Sequence, residues 1–107
     1  MRVQLLSPPR DETDETWTLD PDRAYTVIGL ESGNYRIVDA EGEPLLFPQG
    51  RFRVLDGSRP AFWRQGAGGD VHYPEAWLRP GFFEDYFDGD EAIVAAFWAE
   101  HDRLYGA

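Results

Sequence analysis

The chain has 107 residues, 42% apolar and 15% aromatic, which fits one globular domain and is too hydrophobic for a disordered acidic tail. Twenty Asp and Glu face ten basic residues, every one of them Arg, for a formal charge of −10; such a field repels phosphate backbones and has a basic protein as its natural complement. The absence of cysteine excludes a disulfide framework, thiol catalysis and a Cys-based zinc site.

Arg2 to Leu6 reads as a short strand stopped by Ser7, Pro8 and Pro9. No signal-type apolar run occupies Met1 to Pro9 and no segment approaches membrane-spanning length, so a cytoplasmic protein without membrane contact is expected. Arg10 to Arg23 is a long polar loop with Asp11, Glu12, Asp14 and Glu15 clustered in it, and Trp17 is read as the side chain that pins it down. Tyr25 to Leu30, Tyr35 to Asp39, Pro44 to Phe47 and Arg51 to Leu55 are four short strands joined by tight turns at Glu31–Asn34 and Ala40–Glu43. In the last of them, alternation places Phe52 and Val54 inward with Arg51 and Arg53 in water. Short turns without crossover helices indicate an antiparallel meander, which must curl and recruit the first strand to be stable.

This order of strand, long loop, three strands and a Pro-led turn into a last strand resembles an SH3-like barrel. The resemblance is carried by Tyr25-Thr26-Val27-Ile28-Gly29, Tyr35-Arg36-Ile37-Val38, the Gly42 turn, and Phe47-Pro48-Gln49-Gly50-Arg51-Phe52-Arg53-Val54. Proline-rich peptide recognition does not follow from it, because Val3-Gln4-Leu5-Leu6 and Asn34-Tyr35 stand where peptide-binding SH3 domains carry an aromatic-rich strand and a tryptophan.

In the second half, Phe62 to Tyr73 suggests a hairpin around a glycine-rich tip, Gly66-Ala67-Gly68-Gly69, that lacks the lysine and following helix of a phosphate loop. Pro80 opens a helical turn through Phe87. The main helix is expected from Asp88 to about Leu104, with Asp88 and Glu91 as a capping box and Gly106 as the stop. Ile93, Val94, Phe97, Trp98, His101, Leu104 and Tyr105 share one helical face, expected to dock on the barrel or on the 62–73 hairpin. The expected fold is a single α+β domain over 1–107. It comprises an SH3-like five-stranded antiparallel barrel (1–56), a hairpin and loop extension (57–80), and an acidic-aromatic turn with one C-terminal helix (81–107).

Catalysis has little to work with: His72 and His101 are the only imidazoles, and Ser7, Ser32 and Ser58 sit at turns. The acids of 85–91 fall out of register for an EF-hand, so no metal and no cofactor are expected, and no enzyme. What remains is the stretch Gly81 to Glu91, with four aromatics and five carboxylates, a composition that suits a protein-binding surface. The plainer account is that Phe82, Phe83 and Phe87 are core and the acids solvate and cap, keeping a small protein soluble and monomeric. The Tyr25–Val54 pattern with the Gly-Phe-Phe-Glu-Asp-Tyr-Phe-Asp-Gly-Asp segment resembles small acidic bacterial immunity-type proteins of polymorphic toxin systems. That resemblance implies an inhibitor of a cognate toxin, a basic nuclease being one option, with a protein and not nucleic acid as direct partner. The residues read as the binding surface are Glu84, Asp85, Tyr86 and Asp90, with Asp11, Glu12, Asp14 and Glu15 as a second patch. The alternative is a non-enzymatic adaptor or regulatory barrel that binds a host protein or peptide through Trp63, Tyr73 and Trp77.

Overall fold

The computed structural model describes residues 1–106, which form two compact units, one ending at Tyr73 and one beginning at Pro74. The architecture is α+β, with two antiparallel sheets and two α-helices. Among the described residues no helix is long and apolar enough to cross a membrane.

The first unit starts with β1 (Arg2–Leu5), whose alternation buries Val3 and Leu5 and turns Arg2 outward. It lies between β2 (Tyr25–Thr26) and the later strand β6 (Phe52–Asp56) in a three-stranded sheet of order β2-β1-β6. The strand expected over 25–30 is broken at Val27 and Ile28, both fully buried, and resumes as β3 (Gly29–Glu31) in the second sheet. That sheet also contains β4 (Asn34–Val38), β5 (Pro44–Pro48), β7 (Trp63–Gln65) and β8 (Val71–Pro74), in the order β5-β4-β3-β8-β7. The 62–73 hairpin therefore extends a sheet, with Leu30 opposite His72 and Glu31 opposite Val71.

The β3–β4 turn is short because Ser32 and Gly33 both adopt positive φ, 50° and 82°, as a two-residue hairpin with the twist of its strands requires. Asn34 supports it by donating through Nδ2 to the carbonyls of Glu31 and Ser32, each at 3.2 Å. At the other end of β4, Asp39 is buried and its Oδ1 accepts from the amides of Glu41 and Glu43, closing the next turn. The core joins Val3, Leu5, Leu19, Tyr25, Val27, Leu30, Tyr35, Ile37, Phe47, Phe52 and Trp63, with Phe52 edge-on to Tyr35 and Phe47. One expectation is corrected here: Val54 is 52% exposed and Leu55 48%. β6 is a sheet edge, and its register slips between Val54 and Asp56, leaving Leu55 as an extra residue against β1.

Both faces of β4 are covered, so Arg36, which alternates with the buried Tyr35 and Ile37, is itself only 5% exposed. Its Nε donates to the Tyr73 hydroxyl (3.0 Å), its Nη1 donates to the Pro44 carbonyl (2.9 Å), and its Nη2 lies 3.7 Å from Glu31 Oε1. The Tyr73 hydroxyl in turn donates to Glu31 at 3.2 Å. Burial pushes that hydroxyl above the ordinary tyrosine range against the opposing pull of Arg36, so it is a neutral donor at physiological pH. The ring of Tyr73 rests on Gly29, where an added Cβ would stand 2.0 Å from Cε1.

In the second unit, a 3₁₀ turn (Glu75–Trp77) leads to α1 (Phe82–Phe87) and α2 (Glu91–Tyr105). Phe97 of α2 is fully buried, with ring centroids 4.6 Å from Trp77, 5.3 Å from Tyr86 and 5.8 Å from Phe83. The Asp88 capping box is not formed. Asp88 still has helical φ and ψ at the end of α1, and Gly89, at φ 84°, ends that helix. Asp90 is the first extended residue and caps α2, accepting from the amides of Ala92 (3.1 Å) and Ile93 (3.3 Å). Gly106 ends α2 as expected, its amide bonding to the Asp102 carbonyl.

Gly29→Ala forces overpacking against Tyr73 and is expected to lower unfolding free energy by about 1–3 kcal/mol. Tyr73→Leu is destabilising by itself, but the double variant loses less than the sum of the two, since each relieves the other's fault. Urea unfolding of the four proteins measures this coupling.

Candidate functional site

Two acidic surfaces are built differently. On α1, helical spacing puts Phe82 and Tyr86 on the buried face and leaves Glu84, Phe87 and Asp88, at i, i+3 and i+4, together on the exposed one. Of the four residues read as the primary surface, only Glu84 is both exposed and unengaged by a local structural duty. Asp85 pairs with Arg79 at 2.7 Å. Asp90 caps α2. Tyr86 is 7% exposed, and its hydroxyl accepts from Trp98 Nε1 at 3.1 Å. Phe87, read as core, is 48% exposed; the aromatic on this surface is therefore Phe87, one residue along from the expected Tyr86. The 82/86 spacing is the signal that would have separated them.

The second surface lies in the loop between β1 and β2. Asp11 Oδ1 accepts from the amide and hydroxyl of Thr13, which hold its carboxyl below the usual carboxylate range. Asp14 repeats the turn three residues later and adds an ion pair. Its Oδ1 accepts from the Thr16 amide (2.9 Å), the Thr16 hydroxyl (2.9 Å) and Arg51 Nη1 (3.1 Å), and its Oδ2 from the Arg10 amide (3.1 Å) and Arg51 Nη2 (3.0 Å). The Asp14 side chain is only 3% exposed. Arg51, brought there by the 3₁₀ turn Gln49–Arg51 ahead of β6, holds the Asp14 carboxyl far below its ordinary value, with the two amides adding to the effect. Glu15 Oε1 lies 3.4 Å from Arg51, with its side chain 57% exposed. Arg10, Asp11, Thr13, Asp14, Glu15 and Arg51 line an open cavity of about 400 Å³.

Of the second patch, then, Asp11, Glu12 and Glu15 face solvent, whereas Asp14 is the internal clasp that orders them. Trp17, expected to anchor the loop, is 53% exposed; Thr16 and Leu19, at 0% and 3%, are the anchors. The aromatics of the alternative reading are interior: Trp63 is 8% exposed, Tyr73 1% and Trp77 2%. Among the described residues no three His, Asp or Glu side chains are grouped to hold a metal ion.

The Asp14 pair has a definite pH signature. A folded-state pKa below the unfolded value contributes stability that is fully present above the ordinary Asp value of 3.8 and is lost as pH falls below it. The stability difference between wild type and Asp14→Asn should therefore be constant at neutral pH and shrink below about pH 4. Urea midpoints measured across pH 2.5–7 check this, the range being roughly the one in which carboxylates titrate; a difference that persists unchanged at the acid end would contradict it. No protein-family model matches the chain, and no curated protein or solved structure matches it.

Proposed function

We propose that this protein is a non-enzymatic, immunity-type inhibitor that neutralises a cognate bacterial toxin in the cytoplasm by covering a basic surface of it. The observation that carries the reading is the exposed acid-aromatic stripe Glu84–Phe87–Asp88 in a chain of net charge −10. Carboxylates beside an aromatic ring reproduce the charge and stacking of a phosphate-borne base, so a basic nuclease cleft is a fitting target. Steering by the overall field raises the encounter rate and makes it depend on salt. The adaptor reading is not favoured, because Trp63, Tyr73 and Trp77 are buried.

The SH3-like barrel is the finer fold reading that accompanies this function. Three features support it: β1 is shared between β2 and β6, the bend at Val27–Ile28 passes the chain from one sheet to the other, and a 3₁₀ turn precedes the last barrel strand β6. The barrel supplies a frame for the long β1–β2 loop.

The test is co-expression with the product of the neighbouring gene, scored by growth rescue and by the complex recovered. The expected result is rescue and a stoichiometric complex whose association rate falls at least about tenfold between low and high salt. Glu84→Lys with Asp88→Lys should weaken that complex, both positions being exposed and free of capping duty on α2. Growth arrest without rescue, or a complex indifferent to both charge reversals and to salt, would overturn the proposal.

A further inference from the structure

A sheet edge leaves backbone donors and acceptors without a strand to satisfy them. Among the described residues there are four such edges: β2 and β6 in the smaller sheet, β5 and β7 in the larger. Three of them are blunted. β2 has two residues, β5 begins and ends with a proline, Pro44 and Pro48, and β7 has three residues, the first amide of which donates to the Pro60 carbonyl at 3.2 Å. β6 runs for five residues without proline, and the four after Phe52 are exposed. Its bonding phase against β1 fixes what the free side offers. The Leu6 amide donates to the Arg51 carbonyl at 3.0 Å. The next residue to turn its amide and carbonyl toward β1 is therefore Arg53, opposite Gln4, and those of Val54 point away from the sheet. The Phe52 amide is taken by the Gln49 carbonyl, and the bulge at Leu55 ends the regular edge. Three of the five large apolar side chains exposed among the described residues stand here: Leu6 at 62%, Val54 at 52% and Leu55 at 48%.

We propose that β6 is a docking edge for an extended acidic segment of another polypeptide, which adds antiparallel beside β6 and exchanges hydrogen bonds with the amide and carbonyl of Val54. Charge complementarity selects this occupant. Between Glu43 and Asp70 the chain carries four arginines, Arg51, Arg53, Arg59 and Arg64, and one carboxylate, Asp56, although acids outnumber bases 20 to 10 overall. Asp56 is turned into its own loop by the amide and hydroxyl of Ser58. Arg53 donates to the neutral side chain of Gln4 at 2.7 Å and has no carboxylate within ion-pair distance among the described residues. Directly opposed residues of an antiparallel pair share a face. A partner residue opposite Arg53 thus lies on the outer face with Gln4 and is acidic, whereas one opposite Val54 shares the face of Val3 and is aliphatic. The recognised pattern alternates carboxylate and aliphatic side chains, with main-chain bonds supplying affinity and these positions selectivity. A second copy of this chain fits less well: two-fold pairing centred on Val54 sets Arg53 against Leu55 of the other copy and brings together two chains of charge −10. The edge belongs to the first unit, and the proposal does not depend on the toxin-binding reading of Glu84, Phe87 and Asp88.

The experiment is NMR titration of the full chain with a Glu-Val repeat peptide of about seven residues, long enough for one strand, with a Lys-Val repeat as the comparison. The Glu-Val peptide at about 1 mM, the range of weak contacts, should shift the amides of residues 52–56 most. In that complex the Val54 amide should exchange with solvent at least about tenfold more slowly. The Lys-Val peptide should bind at least about tenfold more weakly. Arg53→Glu should reverse the order of the two peptides, and Val54→Pro, which removes an outward-facing donor, should abolish binding of the Glu-Val peptide. Arg53→Glu changes an exposed side chain, so it decides the matter even where Val54→Pro fails to fold. No binding of the Glu-Val peptide, shifts confined to residues outside β1 and β6, unchanged exchange at Val54, or equal binding of the two peptides would overturn the proposal. So would dimerisation of the free chain through residues 52–56, which would make a second copy the occupant. None of these outcomes alters the inhibitor reading, which is tested by complex formation with the toxin.

Discussion

The ion pair between Asp14 and Arg51 decides what this molecule presents to its surroundings. A polar loop running from the end of β1 to Tyr25 would ordinarily be mobile, since it buries little apolar surface to offset its ordering. Here one carboxylate receives five hydrogen bonds, from Arg10, from the amide and hydroxyl of Thr16, and from both terminal nitrogens of Arg51. Charge-assisted and bidentate, the pair spans 37 residues of sequence and ties the loop to the approach of β6. The other carboxylates of the cluster face outward because this one faces inward.

A second polar device does comparable work inside the larger sheet. Arg36 is buried, and an ion in that position is tolerated only when its donors find acceptors. Tyr73, Pro44 and Glu31 supply them from β8, β5 and β3. Such a network contributes little net stability over apolar packing of the same volume, but it fixes which strands lie beside β4. Gly29 is the steric condition for it, since any side chain there would occupy the space of the Tyr73 ring. The order β5-β4-β3-β8-β7 is therefore specified by polar contacts as well as by hydrophobic alternation.

Much of this was legible in the residues. Short β-rich runs between Gly, Asn and Asp turns located the strands, and Glu31–Asn34 was legible as a tight turn, which the structure makes a two-residue hairpin with Ser32 and Gly33 at positive φ. What escaped was set by neighbours that are remote in sequence. Val54 alternates correctly but lies on an edge beside a bulge, and the buried Arg36 needed a partner from β8 to be intelligible. At the helix start, Asp88 and Asp90 are equally good caps by composition; the left-handed Gly89 between them settles which one is used. The exposed acid-aromatic surface moved for the same reason. Aromatic content suggested Tyr86 and Trp17 in the opposite roles to those they occupy, because burial depends on which side of a short helix or braced loop faces the core.

The account stands on the clasp as the element that orders the acidic loop, and amide hydrogen exchange in Arg51→Met tests it most directly. With the guanidinium gone, the amides of Asp14, Thr16, Trp17 and Leu19, all hydrogen-bonded within the loop, should exchange at least about tenfold faster, while those of Tyr35 and Ile37 in β4 keep their protection. Unchanged protection across residues 14–19 in Arg51→Met would contradict the account, because the loop would then be ordered by something other than this pair.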